Sequence, residues 1–456
     1  MSQSPSLRKQ STKSTETILA PNESLFDLYF NYVADTEPPL QFHRWSLIAA
    51  VGAMLGRQFW LPFGTSKIFP NQYIMLVGNP GTRKSTAIKG MAKILGRAGY
   101  SHFGADKTTK EKFLLDLEGL PETYGDMPNA AKSGTGSRAV RNPTISANDV
   151  LRELKFETDE VESDRVPREV FVCADEFNEF TGSGNIDFFS LLGALWDWDN
   201  EHSTYKYRLK NSKSLSIYQP TISILGGNTH TGIQLGFPSE AVGQGFMSRL
   251  LFIHSEPSGR KIAFPTTPPE ELGERLVRVL GAIKAEVVGE CKMAAGAKNA
   301  LSMIYASWQP LEDYRFQYYS SRRYVHLLKL TLICAAMRLS SIIDMQDVLL
   351  ANTLLTHAEH QMTKALGEFG KSRNSEIAQT IMSKMYETKK PMSHAELLNL
   401  VRRDLQKKED LAEILSTLAS TGKIKYVKEA NGFLPIQKAI SGNALYVDLK
   451  LLKENR

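Results

Sequence analysis

Residues 78–86 read Gly-Asn-Pro-Gly-Thr-Arg-Lys-Ser-Thr and follow directly on the apolar run Tyr73 to Val77. A buried strand that opens into a glycine-bearing loop, a lysine, a hydroxyl and then a helix suits the phosphates of a nucleoside triphosphate. Gly78, Asn79, Pro80, Gly81, Thr82, Arg83, Lys84, Ser85 and Thr86 are the candidate cradle. Backbone N–H groups and the helix N-terminus wrap the phosphates, Lys84 reaches the β/γ oxygens, and the Ser85 hydroxyl ligates Mg²⁺. Further along, the apolar run Val170 to Ala174 ends in Asp175-Glu176. A second buried strand ending in two carboxylates supplies the metal's outer partner, Asp175, and a base for the attacking water, Glu176. The two pieces in this order point to hydrolysis of ATP with Mg²⁺.

One residue departs from the usual pattern. The motif G-x-x-x-x-G-K-[ST] carries glycine immediately before the lysine, and here that residue is Arg83. If the position requires a positive φ, arginine is strained there. Either the loop tolerates the side chain or it no longer binds nucleotide. The intact strand, Lys-Ser pair and following helix favour a working site.

Other residues could complete the chemistry. Asn228, at the end of the run Thr221 to Gly226, stands where an amide can orient the attacking water, although Asn is also a common turn former. Arg249, just before the apolar run Leu250 to His254, is a candidate for stabilising phosphoryl charge from a neighbouring subunit, and Arg322 or Arg323 for a second such cation. Tyr205-Lys206-Tyr207-Arg208-Leu209-Lys210 alternates strictly, so a strand there puts Lys206, Arg208 and Lys210 on one face. With Lys213 near the tip, that hairpin is a candidate grip for a nucleic-acid backbone, its tyrosines either stacking on bases or packing inward. His254, His326 and His394 have no partner at ligand spacing and read as packed or surface residues.

The elements that position these groups follow from periodicity. Residues 1–22 read as a disordered arm. Residues 23–256 read as an α/β core with a helical lead-in, buried parallel strands separated by helices, and a flexible Gly/Ser/Pro-rich insertion near 121–168. After the Pro-rich break at 257–269, residues 257–370 read as a separate, essentially all-helical domain with helices over 272–288, 309–336 and 347–366. Residues 371–456 read as three helices and a hairpin around Asn431-Gly432, the arrangement of a winged helix–turn–helix. Ser393 and Glu396 have capping-box spacing at the second of those helices.

Composition sets the class. In 456 residues, 42% are apolar and 23% charged, the balance of a soluble globular protein with two or three domains. The three cysteines, Cys173, Cys291 and Cys334, lack metal-ligand spacing and fit a reducing cytoplasm. No apolar run is long enough to span a bilayer, so no membrane partner is expected. The net charge of +6 lies entirely in residues 371–456, a footprint compatible with phosphate backbones or with an ordinary solvated surface.

The order of these features resembles a known group: the primase/helicase-associated P-loop proteins of phages and integrated mobile elements. The resemblance covers about residues 25 to 365 and is carried by Pro38-Pro39, His43-Arg44-Trp45, Pro70-Asn71, Pro80 to Ser85 and the stretch Phe171 to Ser255 with Gly245-Phe246-Met247-Ser248-Arg249; the tail is a more generic match. More distantly the chain is similar to viral replicative helicases and minichromosome-maintenance-type motors of the AAA+ class. The resemblance implies an ASCE-type P-loop core with sheet order 5-1-4-3-2, tolerance of a non-glycine before the lysine, assembly into a homo-oligomeric ring such as a hexamer, and action on single-stranded or forked DNA. It also implies separate replication partners such as a primase, since this chain carries no primase or nuclease motif. The expectation is therefore an ATP-hydrolysing DNA motor, an oligomeric replicative helicase. The alternative is a nucleotide-gated loader or initiator that binds DNA without unwinding it; a small-molecule kinase fits the hairpin and tail less well.

Overall fold

The computed structural model describes residues 19–20, 22–119, 166–198, 204–208, 214–238, 245–311, 313–367, 373–388, 390–405, 409–420 and 424–435. Nearly all of the expected arm 1–22 and insertion 121–168, together with Lys210 and Lys213, lie outside the described residues. The chain enters its core through two helices, Leu25–Tyr32 (α1) and Leu40–Leu55 (α2). Ser24 and Asp27 form a reciprocal capping box that satisfies the first N–H groups of α1. Helix α2 has no polar face: Trp45, Leu47, Ile48, Val51 and Met54 are all fully buried, because sheet and helices surround it. A hairpin missing from the sequence reading follows, Phe59–Phe63 (β1) and Ser66–Ile68 (β2).

Tyr73–Val77 (β3) then runs buried at every residue, and a loop leads from it to Lys84–Arg97 (α3) and Lys110–Glu118 (α4). Beyond lie Glu169–Ala174 (β4), Phe177–Thr181 (α5), Ile186–Leu195 (α6), the hairpin Thr204–Arg208 (β5) and Ser214–Tyr218 (β6), Thr221–Asn228 (β7), His230–Gly236 (α7) and Leu250–His254 (β8). Four of these strands form one parallel sheet in the order β4-β7-β3-β8. A single parallel bridge between Phe103 and Phe171 extends its β4 edge. The strands are apolar throughout because helices cover the sheet, the usual condition of parallel sheets. The molecule is thus an α/β protein built on a parallel sheet. Every loop that leaves β3, β4 and β7 at its carboxyl end emerges on the same edge.

Glu270–Glu286 (α8), Ala295–Ser307 (α9), Gln317–Met337 (α10) and Met345–Leu366 (α11) come next. This stretch corrects two expectations. The helix expected over 309–336 starts only at Gln317, after an extended Trp308 (ψ 138°) and a short 3₁₀ turn over Tyr314–Phe316. Nor is the stretch all-helical: Gly289–Glu290 (β9) pairs with β1, and Lys292–Met293 (β10) with Ile342–Ile343 (β11). One continuous apolar core runs from Leu25 to Leu366, so these helices pack on the sheet instead of closing a separate core of their own. Residues 373–435 do have their own small core, formed by Arg373–Thr388 (α12), His394–Val401 (α13), Glu409–Ser420 (α14) and the hairpin Ile424–Val427 (β12) with Gly432–Pro435 (β13). Ser393 and Glu396 make the capping box that their spacing predicts. Among the described residues no helix is long and apolar enough to cross a membrane.

Helix α10 carries charge into the interior. Lys329 is buried, donating to Phe69 O at 2.9 Å and Asn71 Oδ1 at 2.6 Å, with its ammonium 4.5 Å from the Trp196 ring centre. Burial pushes its pKa down to about 7. The unfolded chain keeps that proton up to its ordinary value near 10.5, so between these limits unfolding takes up a proton and stability rises with pH. Wild type should therefore gain stability relative to Lys329→Met between pH 7 and pH 9, by up to ~1.4 kcal/mol per pH unit. Thermal melts of both proteins across that range check this; a pH-independent gap would refute it.

Candidate functional site

The loop 78–83 is shaped by close approach and by two positive φ angles. A Cβ on Gly78 would sit 2.8 Å from Ser255 O and 2.9 Å from Thr82 Oγ1, so only glycine fits there. Gly81 turns the chain with φ 85°. Arg83 also stands in the left-handed region, φ 61° and ψ 30°, the conformation a glycine takes at no cost and an arginine at ~1–2 kcal/mol. Its side chain leaves the loop and reaches outward, where Nε meets Glu37 Oε2 at 2.5 Å. Arg83 therefore does not fill the loop. The exposed pair with Glu37 adds at most a fraction of the lost energy.

Lys84, the first residue of α3, turns back over the loop and donates to Gly78 O at 2.9 Å, Asn79 O at 3.2 Å and Thr82 Oγ1 at 3.2 Å. Partial burial lowers its pKa, and the nearby charge of Glu176 acts in the opposite sense. No side chain caps α3, so its first-turn N–H groups face the loop without a side-chain partner. Ser85 is half-buried and Thr86 exposed in that turn.

Asp175 and Glu176 leave the end of β4 two strands away, with β7 between. Lys89, one turn beyond Ser85, places its ammonium 2.6 Å from Asp175 Oδ2. Phe177 anchors the carboxylate pair from behind: it is fully buried and stacks with Phe189, Phe237 and Phe246. Asn228 ends β7 beside Val77, buried, its Nδ2 donating to Asn178 Oδ1 at 3.0 Å. Lysine loop, amide and carboxylates thus leave the carboxyl ends of three adjacent strands, where open parallel sheets bind ligands.

Other candidates lie elsewhere. Arg249 precedes Leu250, which pairs with Tyr73 at the amino end of β3, so it sits the length of a five-residue strand, roughly 15 Å, from its own loop. It does not reach that loop. Arg322 shares a carboxylate, Asp197, with Arg249. Arg323 is withdrawn altogether into a buried ion pair with Glu359 at 2.7 Å, so of the two it is the one unavailable to a ligand. On β5, Lys206 and Arg208 are exposed, whereas Tyr205 and Tyr207 pack inward, Tyr205 against Trp198. Both tyrosines are half-buried, packed against the edge of the core. His326 is buried against Trp196, and His394 is exposed. His254 lies at the end of β8 with His230 beside it, ring centres 5.3 Å apart. Helix α14, third of the C-terminal unit, contains no Lys or Arg; exposed Lys425, Tyr426 and Lys428 lie on and beside β12.

No protein-family model matches this chain, and no curated protein matches it. The site therefore rests on its own geometry. Sequence reasoning overlooked Glu37, Asn178, Asp197 and the pair Gly226-Gly227. Only the last left a signal, two glycines at a strand end. A Cβ on Gly227 would lie 2.5 Å from Asp175 O, so this glycine sets how closely β7 approaches the carboxylate-bearing strand. Gly227→Ala should lower folding stability by ~2–3 kcal/mol, read as a drop in denaturation midpoint. Gly90→Ala, on exposed helix with nothing within 4 Å, should stabilise slightly or leave the midpoint unchanged.

Proposed function

We propose that this chain is a P-loop ATPase acting as an oligomeric DNA motor, a replicative helicase of a phage or mobile element. The observation that carries the reading is the convergence of Lys84, Asn228 and Asp175-Glu176 on one edge of a parallel sheet. The strand order supports it as well. Counting β3 first, the Phe103 segment second, then β4, β7 and β8, the sheet reads in the order that the P-loop resemblance implies. Three helices followed by a hairpin support a winged helix at the C-terminus.

The residues present fit ATP and Mg²⁺. Gly78 leaves backbone where a side chain would collide, the start of α3 offers uncapped N–H groups, and the Lys84 ammonium is already held over the loop by three oxygens. Ser85 and Asp175 would hold the metal, whose charge would offset that of the phosphates. Lys84 exchanges its loop carbonyls for β/γ-phosphate oxygens. Glu176 takes the proton of the attacking water, and Asn228, fixed by Asn178, orients that water. Arg249 serves the nucleotide of a neighbouring copy, since it lies at the opposite end of the sheet from its own loop. Lys206 and Arg208 contact the DNA backbone.

Glu176→Gln should keep ATP binding and lower turnover by ~10²-fold or more, whereas Lys84→Ala should lose binding. Fluorescent-nucleotide titration and phosphate release measure the two; undiminished hydrolysis in the glutamine variant ends the assignment. Lys206→Glu with Arg208→Glu should reduce DNA-stimulated hydrolysis in a salt-dependent way. Displacement of a strand from a forked duplex distinguishes a motor from a loader, which would hydrolyse ATP and displace nothing.

A further inference from the structure

Two arginines from different parts of the chain close on one carboxylate. Arg249 Nη2 lies 3.5 Å from Asp197 Oδ1, and Arg322 Nη1 lies 3.3 Å from Asp197 Oδ2. The neighbouring residue of α10 shows what a permanent pair looks like here. Arg323 Nε donates to Glu359 Oε1 at 2.7 Å, both side chains are buried, and its Nη2 donates to Asn352 Oδ1 at 3.0 Å and Thr356 Oγ1 at 3.2 Å. Charge-assisted bonds run to about 2.7–2.9 Å, so both Asp197 contacts are long. Neither fork is filled: Arg249 adds only Nη1 to Gly245 O at 2.7 Å, and its buried Nε has no partner among the described residues.

The charge is also unbalanced. Arg322 opposes Arg249 and Arg249 opposes Lys329, and among the described residues Asp197 is the one carboxylate that acts on Arg249 or Lys329. His326 is neutral, its pKa pushed down to about 3 by burial. The Asp197 side chain is 42% exposed and Arg322 32%, whereas Arg249 is only 11% exposed, drawn in over the Trp196 ring. One carboxylate cannot satisfy two guanidinium forks, whereas a triphosphate carries enough oxygens and charge for both.

We propose that Asp197 is a latch, a positioning residue that holds Arg249 and Arg322 back until the triphosphate bound in a second copy of this chain competes for them. This rests on the ATPase reading and on the role it gives Arg249 across a subunit boundary. Removing the latch frees both arginines before any nucleotide arrives, and copies then engage at lower concentration. The arginines themselves are unchanged, so the rate of the assembled site is not altered.

The test uses the full chain as wild type, Asp197→Asn and Asp197→Glu. Without nucleotide, phenylglyoxal labelling followed by peptide mapping should modify Arg249 and Arg322 about fivefold faster in the Asn variant, with near wild-type rates in the Glu variant. Arg323 stays protected in all three and reports an intact fold. In ATPase assays across protein concentration, the Asn variant should reach half-maximal turnover per subunit at about fivefold lower concentration with the same plateau. Unchanged labelling of Arg249 with Arg323 protected overturns the latch, as does a lowered plateau with an unshifted midpoint. Should the Asn variant expose Arg323, the Glu variant carries the test: labelling at or below the wild-type rate supports the latch and faster labelling overturns it. If wild type binds and hydrolyses no ATP, the ATPase reading fails; the labelling contrast then still decides whether Asp197 restrains the arginines, and their proposed partner is overturned.

Discussion

Five consecutive residues, Tyr73 to Val77, are buried with a parallel strand hydrogen-bonded on each side. Most of the architecture is answerable to that placement. A parallel neighbour cannot be reached by a tight turn, so helices must carry the chain back, and those helices supply the cover that two buried faces demand. The same parallelism brings the loop after Val77, the amide of Asn228 and the Asp175-Glu176 pair out on one edge. Gly227 then sets their spacing, since its missing side chain lets β7 approach the Asp175 carbonyl.

The interior manages charge in two distinct ways. Where a basic side chain is fully buried it meets several oxygens, as with Arg323 among Glu359, Asn352 and Thr356, or Lys329 held by Phe69 O and Asn71. Desolvation would otherwise outweigh such groups. At the amino end of the sheet the rule is relaxed: Arg249 and Arg322 lean on a single half-exposed carboxylate at longer distances. Incomplete pairing near a surface costs less and leaves the arginines exchangeable.

Arg83 is the point where local and global demands conflict. The loop asks for a left-handed residue, and arginine meets that demand with its side chain turned away to Glu37. Glu37 also accepts from Ile262 N at 2.9 Å, so the segment before α2, the loop and the strap after β8 are tied at one carboxylate. At the far end of α3, Arg97 meets Glu270 and Glu274 of α8. The helix that follows the loop is thus held at both ends by the segments flanking the sheet.

The sequence alone determined what depends on local pattern. Short apolar runs such as Tyr73 to Val77, bounded by turn residues, read as buried strands, Ser393 with Glu396 as a helix cap, and the alternation from Tyr205 to Arg208 as a strand that splits cations from aromatics. Its errors arose where a neighbour distant in the chain decides. The two-residue strands β9 to β11 carry too little pattern to be read, and they exist because β1 and Ile342–Ile343 lie beside them. The supposed separate helical domain has ordinary amphipathic helices; only packing shows that the sheet is what they cover. Nothing in the order of residues says that Arg323 meets Glu359 while Arg322 meets Asp197, because one step along a helix turns a side chain by about 100° and only the surroundings say what it faces. Composition and spacing therefore nominated the groups able to do chemistry, and tertiary contact decided which of them stand together.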